Sequence, residues 1–310
     1  MSVDFWINVA VLAGIYGIFT LGLQLNTGFT GLLNFGQAGF MAIGAYTLGI
    51  LVVDWGWSLW PAMAAGVVLA VAASLVVGVS SLRLRGDHFA IASIAFAEIV
   101  RYTLQNAQFS GGNQGVIGFD GEWRCLAGRV LGALTPLGLD RYTQLPLCLV
   151  VWATFLVLLA TMSALQRTPW GRVLRGVRED EDATAALGKN VFAYKLQSLG
   201  IAAALAAVAG FFVALDITYL YPSVFDPTFT FFGYAMLVLG GFASYAGVAV
   251  GGVLFWSLLE GTRLLDTALS AGQQAALRFV IVGLFLFLLL LSRLRPQGIL
   301  GDRNEMMVRS

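Results

Sequence analysis

A chain of 310 residues with 58% apolar and 11% charged side chains reads as a polytopic membrane protein, because soluble domains carry roughly a quarter charged residues. Its net charge of +1 argues against nucleic acid as a partner. Two cysteines cannot form a disulfide framework, and Cys148 falls inside an apolar run, so free thiols are expected at Cys125 and Cys148.

The N-terminus, MSVDFW, lacks the basic region of a secretory signal, and Phe5 to Leu23 is long enough to be a retained first span. Leu25 to Val53 is also long enough, but it is threaded with Gly28, Gly31, Gly36, Gly39, Gly44 and Gly49. It also holds Asn26, Asn34 and Gln37, which are costly against lipid. Trp57 to Ser80 is a third span, with Trp55, Trp57 and Trp60 clustered at its start as at a membrane interface. A short loop, Ser81 to His88, carries Arg83 and Arg85, and Phe89 to Gln105 makes a fourth span with Glu98 and Arg101 one turn apart. A loop of mixed polarity, Asn106 to Thr143, precedes a fifth span ending at Leu165.

Residues 168–190, TPWGRVLRGVREDEDATAALGKN, form a long, densely charged, helix-capable segment. Thr168 and Pro169 make a helix start, and Arg172, Arg175 and Arg178 then recur along one side. Glu179 to Asp182 reverse the charge where a second short helix, Ala183 to Leu187, would place its positive end. Gly188 and Asn190 suit the end of that helix. The segment reads either as a small-faced helix built to be gripped by another protein or as a solvated connector. Ala193 to Leu215 is an Ala-rich sixth span, and Asp216 to Thr228 is an acidic connection without Lys or Arg. Phe229 to Gly240 is apolar but about half the spanning length. Gly240, Gly241, Gly247, Gly251 and Gly252 interrupt it before Val253 to Leu259, and residues 247–251 match GxxxG, a close-packing face. Ala275 to Leu291 spans again.

Basic residues in short loops set orientation. Arg83 and Arg85, the five between Arg167 and Lys189, and Arg293, Arg295, Arg303 and Arg309 are expected on the cytoplasmic side. The N-terminus then lies outside, with about nine crossings, or eight and a re-entrant piece. The expected fold is all-α, one transmembrane domain over 1–310 with about 8–9 transmembrane segments, a cytoplasmic loop over 166–192 and a cytoplasmic tail over 293–310. The Gly-broken stretches Leu25 to Val53 and Leu237 to Leu259 are candidates for matching halves of an internal repeat.

His88 is the sole histidine, and no HExxH, CxxC or GxxxxGK[ST] pattern occurs, which argues against a metalloenzyme, a metal site or an ATPase of that kind on this chain. Glu98 and Arg101 read as a mutually neutralising pair ahead of a proton relay. Non-helical backbone at membrane depth is tolerated where it is buried in protein or lines a wet cavity. Asn34, Gly36, Gln37, Gly39, Gly240 and Gly241 are therefore candidates for a translocation path, the alternative being glycines that only allow tight packing. Gly111, Gly112, Asn113 and Gly115 belong either to an outer mouth or to an ordinary flexible loop.

Six stretches in order give the chain a family likeness. TGFTGLLNFGQAGFMAIGAY (27–46) closely resembles the signature of LivM-type permeases of branched-chain amino-acid ABC importers. LRLRG (82–86) with the run through Glu98, GGNQG (111–115), the WGR-to-Gly188 stretch, VLGG (238–241) and RPQGILG (295–301) are similar to further blocks of that family. The resemblance implies a multi-pass permease of the bacterial inner membrane with a cytoplasmic C-terminus. It implies a homologous LivH-type permease, two cytoplasmic ATP-binding subunits that hold ATP and Mg, and a periplasmic solute-binding protein as partners, with no cofactor on this chain. Glu179, Asp182, Ala183, Ala185, Ala186, Leu187 and Gly188 then correspond to the EAA-type coupling helix that docks on the ATPase. Asp182 replaces the usual Glu, Thr184 interrupts the first Ala pair, and Gln37 stands where many members carry a His. The implied function is ATP-driven uptake of branched-chain or other hydrophobic amino acids, not covalent catalysis. Urea or short-chain amide importers are the alternative, and a passive urea- or ammonia-type channel or an ion-coupled carrier are rivals from other classes.

Overall fold

The computed structural model describes residues 3–82 and 86–262, together with 273, 276–278, 280, 281, 283 and 284. Arg83, Arg85, Arg263, most of the span expected over Ala275 to Leu291, and the tail with its RPQGILG stretch lie outside the described residues.

The first span, α1 (Val3–Leu23), continues as a π-helical turn, Gln24–Phe29. After a non-helical stretch the chain resumes as α2 (Gln37–Val53), so the Gly-threaded block is a broken element of two unequal parts. There follow α3 (Leu59–Ser81), α4 (Gly86–Asn106), β1 (Val116–Ile117), α5 (Gly121–Leu134) and α6 (Leu145–Leu165). The charged segment forms α7 (Pro169–Glu179) and α8 (Glu181–Ala186) and leads into the long α9 (Val191–Ile217). β2 (Tyr219–Leu220) pairs antiparallel with β1, and α10 (Pro227–Gly240) and α11 (Tyr245–Gly261) follow. Among the described residues four helical stretches are long and apolar enough to cross a membrane (Val3–Phe29, α3, α6 and α9), and α10 with α11 make a pair bent by 113°. The protein is a mostly helical, polytopic membrane protein.

The arrangement follows from where small residues fall. Ala62, Gly66, Ala70, Ser74 and Gly78 recur every four residues on α3 and are buried, a stripe that lets backbones approach in lipid. A side chain on Gly66 would press on the Gly44 carbonyl, and one on Gly44 would enter the Ala207 backbone, so α2, α3 and α9 pack in mutual contact. On α6, Leu147, Val151 and Phe155 are buried at the same spacing, with Val151 against Gly14 and Phe155 against Gly17 of α1. α1, α2 and α9 therefore form the interior. The outward faces of α3, α4 and α6 carry exposed apolar residues such as Val68, Val76, Ile91, Ile99, Leu156 and Val157.

Contacts also fix the course of the chain. Phe229, near the start of α10, stacks on Tyr16 at 3.9 Å, and Trp256, near the end of α11, lies 4.8 Å from the same ring. The bent pair therefore returns to the level from which it set out, as a re-entrant V does. Its apex lies beside the end of α1, where Tyr245 stacks on Phe29 at 5.0 Å.

Candidate functional site

The charged segment folds as a capped helix pair. Thr168 caps α7 by accepting from the Gly171 N–H, and Pro169 follows at the first helical position, as the residue order predicts. Asp180 ends α7 and caps α8 by accepting from the Ala183 N–H at 2.9 Å. α8 thus begins at Glu181, two residues earlier than the acidic run suggested, because Asp180 takes the capping position and leaves Glu181 and Asp182 in the first turn. Gly188, at φ +78°, ends this short helix in the left-handed conformation that glycine favours. Asn190 does not share that role: its φ is −80° and its side chain accepts from the Ala193 N–H at 3.1 Å, so it caps α9. A Glu181–Lys195 ion pair ties α8 to α9.

The face so presented is small and open. Glu179, Asp182, Ala183, Ala185, Ala186, Leu187 and Gly188 are all exposed, Leu187 to 81%. Thr184 is the one α8 residue turned inward; its hydroxyl donates to the Asp180 carbonyl at 2.8 Å and lies against Gly176 of α7. The residue that interrupts the Ala pattern is the internal pin of the helix pair.

The path candidates lie deeper. Asn34 and Gln37 expose no surface. The Asn34 amide donates to Gln37 Oε1 at 2.9 Å, its Oδ1 accepts from the Gly36 N–H at 3.0 Å, and Gln37 Nε2 donates to the Ala202 carbonyl of α9 at 2.8 Å. A Cβ on Gly36 would collide with the Ser93 carbonyl of α4, and one on Gly39 would come within 2.9 Å of Ala97 Cα. Gly240 stands against Gly247, and Gly251 against the Met236 carbonyl, so the GxxxG face closes on α10 of its own chain. Gly241, at φ +110°, opens the break between α10 and α11.

The polar loop of 111–115 is a folded clasp. Gly111, Gly112 and Gly115 all have positive φ, and Gly115 packs so closely on the Leu220 carbonyl that a side chain is impossible there. The β1–β2 ladder and a Tyr219 hydroxyl bond to the Gln114 carbonyl at 3.0 Å join the loop to the end of α9, while Asn113 stays exposed. Clasp and charged helix pair sit at opposite ends of α9, whose 27 residues make a rod of about 40 Å. Glu122 of α5 caps α3 at the clasp end, accepting from the Leu59 N–H at 2.6 Å.

Glu98 and Arg101 form an ion pair at 2.6 Å, with the guanidinium 4.5 Å from the Tyr102 ring centre. Both cysteines are free thiols. Among the described residues no cluster of three or more His, Cys, Asp or Glu is placed to hold a metal.

Sequence reasoning missed a polar junction at the end of the first span. Asn26 accepts from Ser198 at 3.0 Å, Thr27 bonds Tyr234 at 3.1 Å, and Thr30 bonds Ser198 at 2.8 Å. Gln24, with its amide oriented to satisfy its neighbours, accepts from the Ala243 and Ser244 N–H groups, each at 2.6 Å. Arg178 donates to the Gly28 carbonyl, and Arg175 lies 5.6 Å from the Phe29 ring centre. The signal for these contacts was the density of polar residues between Gln24 and Thr30, which marks a buried partner without identifying it.

The family model described as branched-chain amino acid transport system / permease component matches residues 5–290. The chain is 33% identical over 265 residues to the high-affinity branched-chain amino acid transport system permease protein LivM of Escherichia coli (strain K12), covering 80% of this chain and 61% of that relative. It therefore spans about three fifths of the length of that protein. A probable branched-chain amino acid transport permease protein LivM of Methanocaldococcus jannaschii is 27% identical, over 81% of this chain and 79% of its own. The permease protein LivH of Escherichia coli (strain K12) is also 27% identical, over 95% and 94%. No solved structure matches the chain. With the capped helix pair and the broken apolar helices in place, the match across nearly the whole length decides the matter: the chain belongs to the family of branched-chain amino acid transport system permease components.

Proposed function

We propose that this chain is the permease subunit of an ATP-driven importer of branched-chain amino acids, and that α8 is the helix on which a cytoplasmic ATPase subunit docks. The observation that carries this reading is the α8 face. It holds a run of exposed small residues ending in a freely projecting Leu187, on a helix capped at both ends and anchored by Thr184 and the Glu181–Lys195 pair. Small residues admit a partner's surface closely, and capped ends keep a short helix from fraying. A passive channel has no use for such a face.

In this reading the chain pairs with a homologous LivH-type permease, two ATP-binding subunits and a periplasmic solute-binding protein in the bacterial inner membrane. α7, α8 and the C-terminus face the cytoplasm, the 111–115 clasp faces the binding protein at the outer mouth, and ATP and Mg are bound by the partners. The branched-chain substrate rests on the printed descriptions of the relatives. The broken segments at Asn34–Gly39 and Gly240–Gly241 are assigned to the moving wall of the path. The buried Gln37 bond to the Ala202 carbonyl of α9 and the close packing of Gly36, Gly39 and Gly240 give that wall a defined resting position.

Co-purification with the candidate ATPase tests the reading. Ala186→Arg places a long cation on the exposed face without touching the bundle. The expected result is normal membrane levels with loss of the ATPase; full retention of the ATPase and of leucine uptake would return α7–α8 to the role of a connector.

A further inference from the structure

The π-helical turn Gln24–Phe29, with the non-helical stretch 31–36 that follows it, and the break Gly241 to Ser244 meet at one level of the bundle. Gln24 joins them by accepting two N–H groups of the second break, and Phe29 stacks on Tyr245 just beyond it. The second break is held in a disfavoured geometry, since Ala243 has φ +61° without being glycine. The amide nitrogen of Asn26 is buried within the junction and has no acceptor. A strained turn and an unused donor mark an element that a second arrangement can satisfy differently.

α7 reaches this junction directly. The chain from Val3 to Phe29 ends in carbonyls that its own helix does not use, and the end of a helix carries partial negative charge. Arg178 donates to one of these, the Gly28 carbonyl, while its stem lies 3.4 Å from where a Cβ on Gly31 would sit. Gly31 has φ +73°, so the approach is made at a position open to glycine's conformation and bare of side chain. Arg178 is also only two residues before Asp180, the residue that caps α8. The proposed docking helix and the apex of the broken spans are thus separated by a single turn of α7.

We propose that Arg178 is the transmission contact of this permease: it carries displacement of the α7–α8 pair into the first break, and Gln24 makes the two breaks move together. The inference rests on the importer reading above. Arg178 is a positioning residue in this scheme and touches neither ATP nor solute.

The test uses the full complex, with the second permease, both ATPases and the binding protein, in proteoliposomes. ATP hydrolysis and uptake of radiolabelled leucine are measured together. For Arg178→Gln the ATPase should remain bound and hydrolysing while leucine moved per ATP falls about tenfold, the factor attached to loss of one charge-assisted hydrogen bond. Arg178→Lys, which keeps a cationic donor without the planar fork, should recover part of the ratio. An unchanged ratio in Arg178→Gln overturns the proposal, as does loss of the ATPase, which would make Arg178 part of the docking surface. Should Arg178→Gln fail to reach the membrane, Arg178→Lys decides: an intermediate ratio supports transmission, a wild-type ratio overturns it. If the wild-type complex neither binds the ATPase nor moves leucine, the importer reading itself fails, and this outcome is distinct from every result of the variants.

Discussion

A single methyl group decides much of this structure. Gly240 and Gly247 face each other so closely that a Cβ on Gly240 would enter the Gly247 carbonyl, whereas a Cβ on Gly252 would sit 3.4 Å from the Ala13 carbonyl, an ordinary contact. Gly240→Ala is therefore expected to force α10 and α11 apart and cost about 1–3 kcal/mol of stability. Gly252→Ala should be nearly neutral. Thermal unfolding of the detergent-solubilised protein, followed by its tryptophan fluorescence, separates the two; equal midpoints would refute the packing account. Thr184 gives the same lesson with opposite sign. In sequence it spoils an Ala repeat, and in the fold it turns that repeat outward by facing in.

Among the elements, α8 is too short to be stable by propensity, so its caps matter more than its composition. Asp180 serves both α7 and α8, as the end of one and the cap of the other. Replacing an N-cap Asp by Ala costs about 1 kcal/mol, and Asn caps equally well. Asp180→Ala should raise amide exchange across residues 181–186 and weaken ATPase binding, with the unfolding midpoint of the bundle unmoved. Asp180→Asn should behave as wild type. Uniform exchange in all three proteins would show that tertiary contacts through Thr184 and Lys195, not the cap, hold the helix.

For the molecule as a whole, the contrast between helices assigns them their surroundings. α9 is buried along most of its length and α3 exposes one side, with Val68 and Val76 open and Ala62, Gly66, Ala70, Ser74 and Gly78 covered. In a bilayer the open side of α3 is apolar enough to meet lipid. Spin labels at Val68→Cys and Val76→Cys, in a chain whose native cysteines are replaced, should be accessible to dissolved oxygen and shielded from aqueous relaxants. A label at Ala206→Cys, on the interior side of α9, should be screened from both. Aqueous accessibility at Val76 would mean that this face lines a water-filled space.

The sequence alone determined the solvent, the helical class, the cap at Thr168, the glycine stop at Gly188 and the close-packing role of residues 247–251. Each depends on local chemistry: hydropathy over a span, a hydroxyl before proline, a residue without a side chain. The family likeness was also legible, because it resides in ordered strings of residues. Tertiary structure alone decided that Asn34 and Gln37 bond each other and α9, that Asn190 caps the helix after it, and that α10 and α11 form a V. It alone decided that Arg178 and Gln24 meet the two backbone breaks. A buried polar group must find a partner, and sequence states that requirement; which partner satisfies it depends on elements as distant as Thr27 and Tyr234, 207 residues apart, being folded side by side.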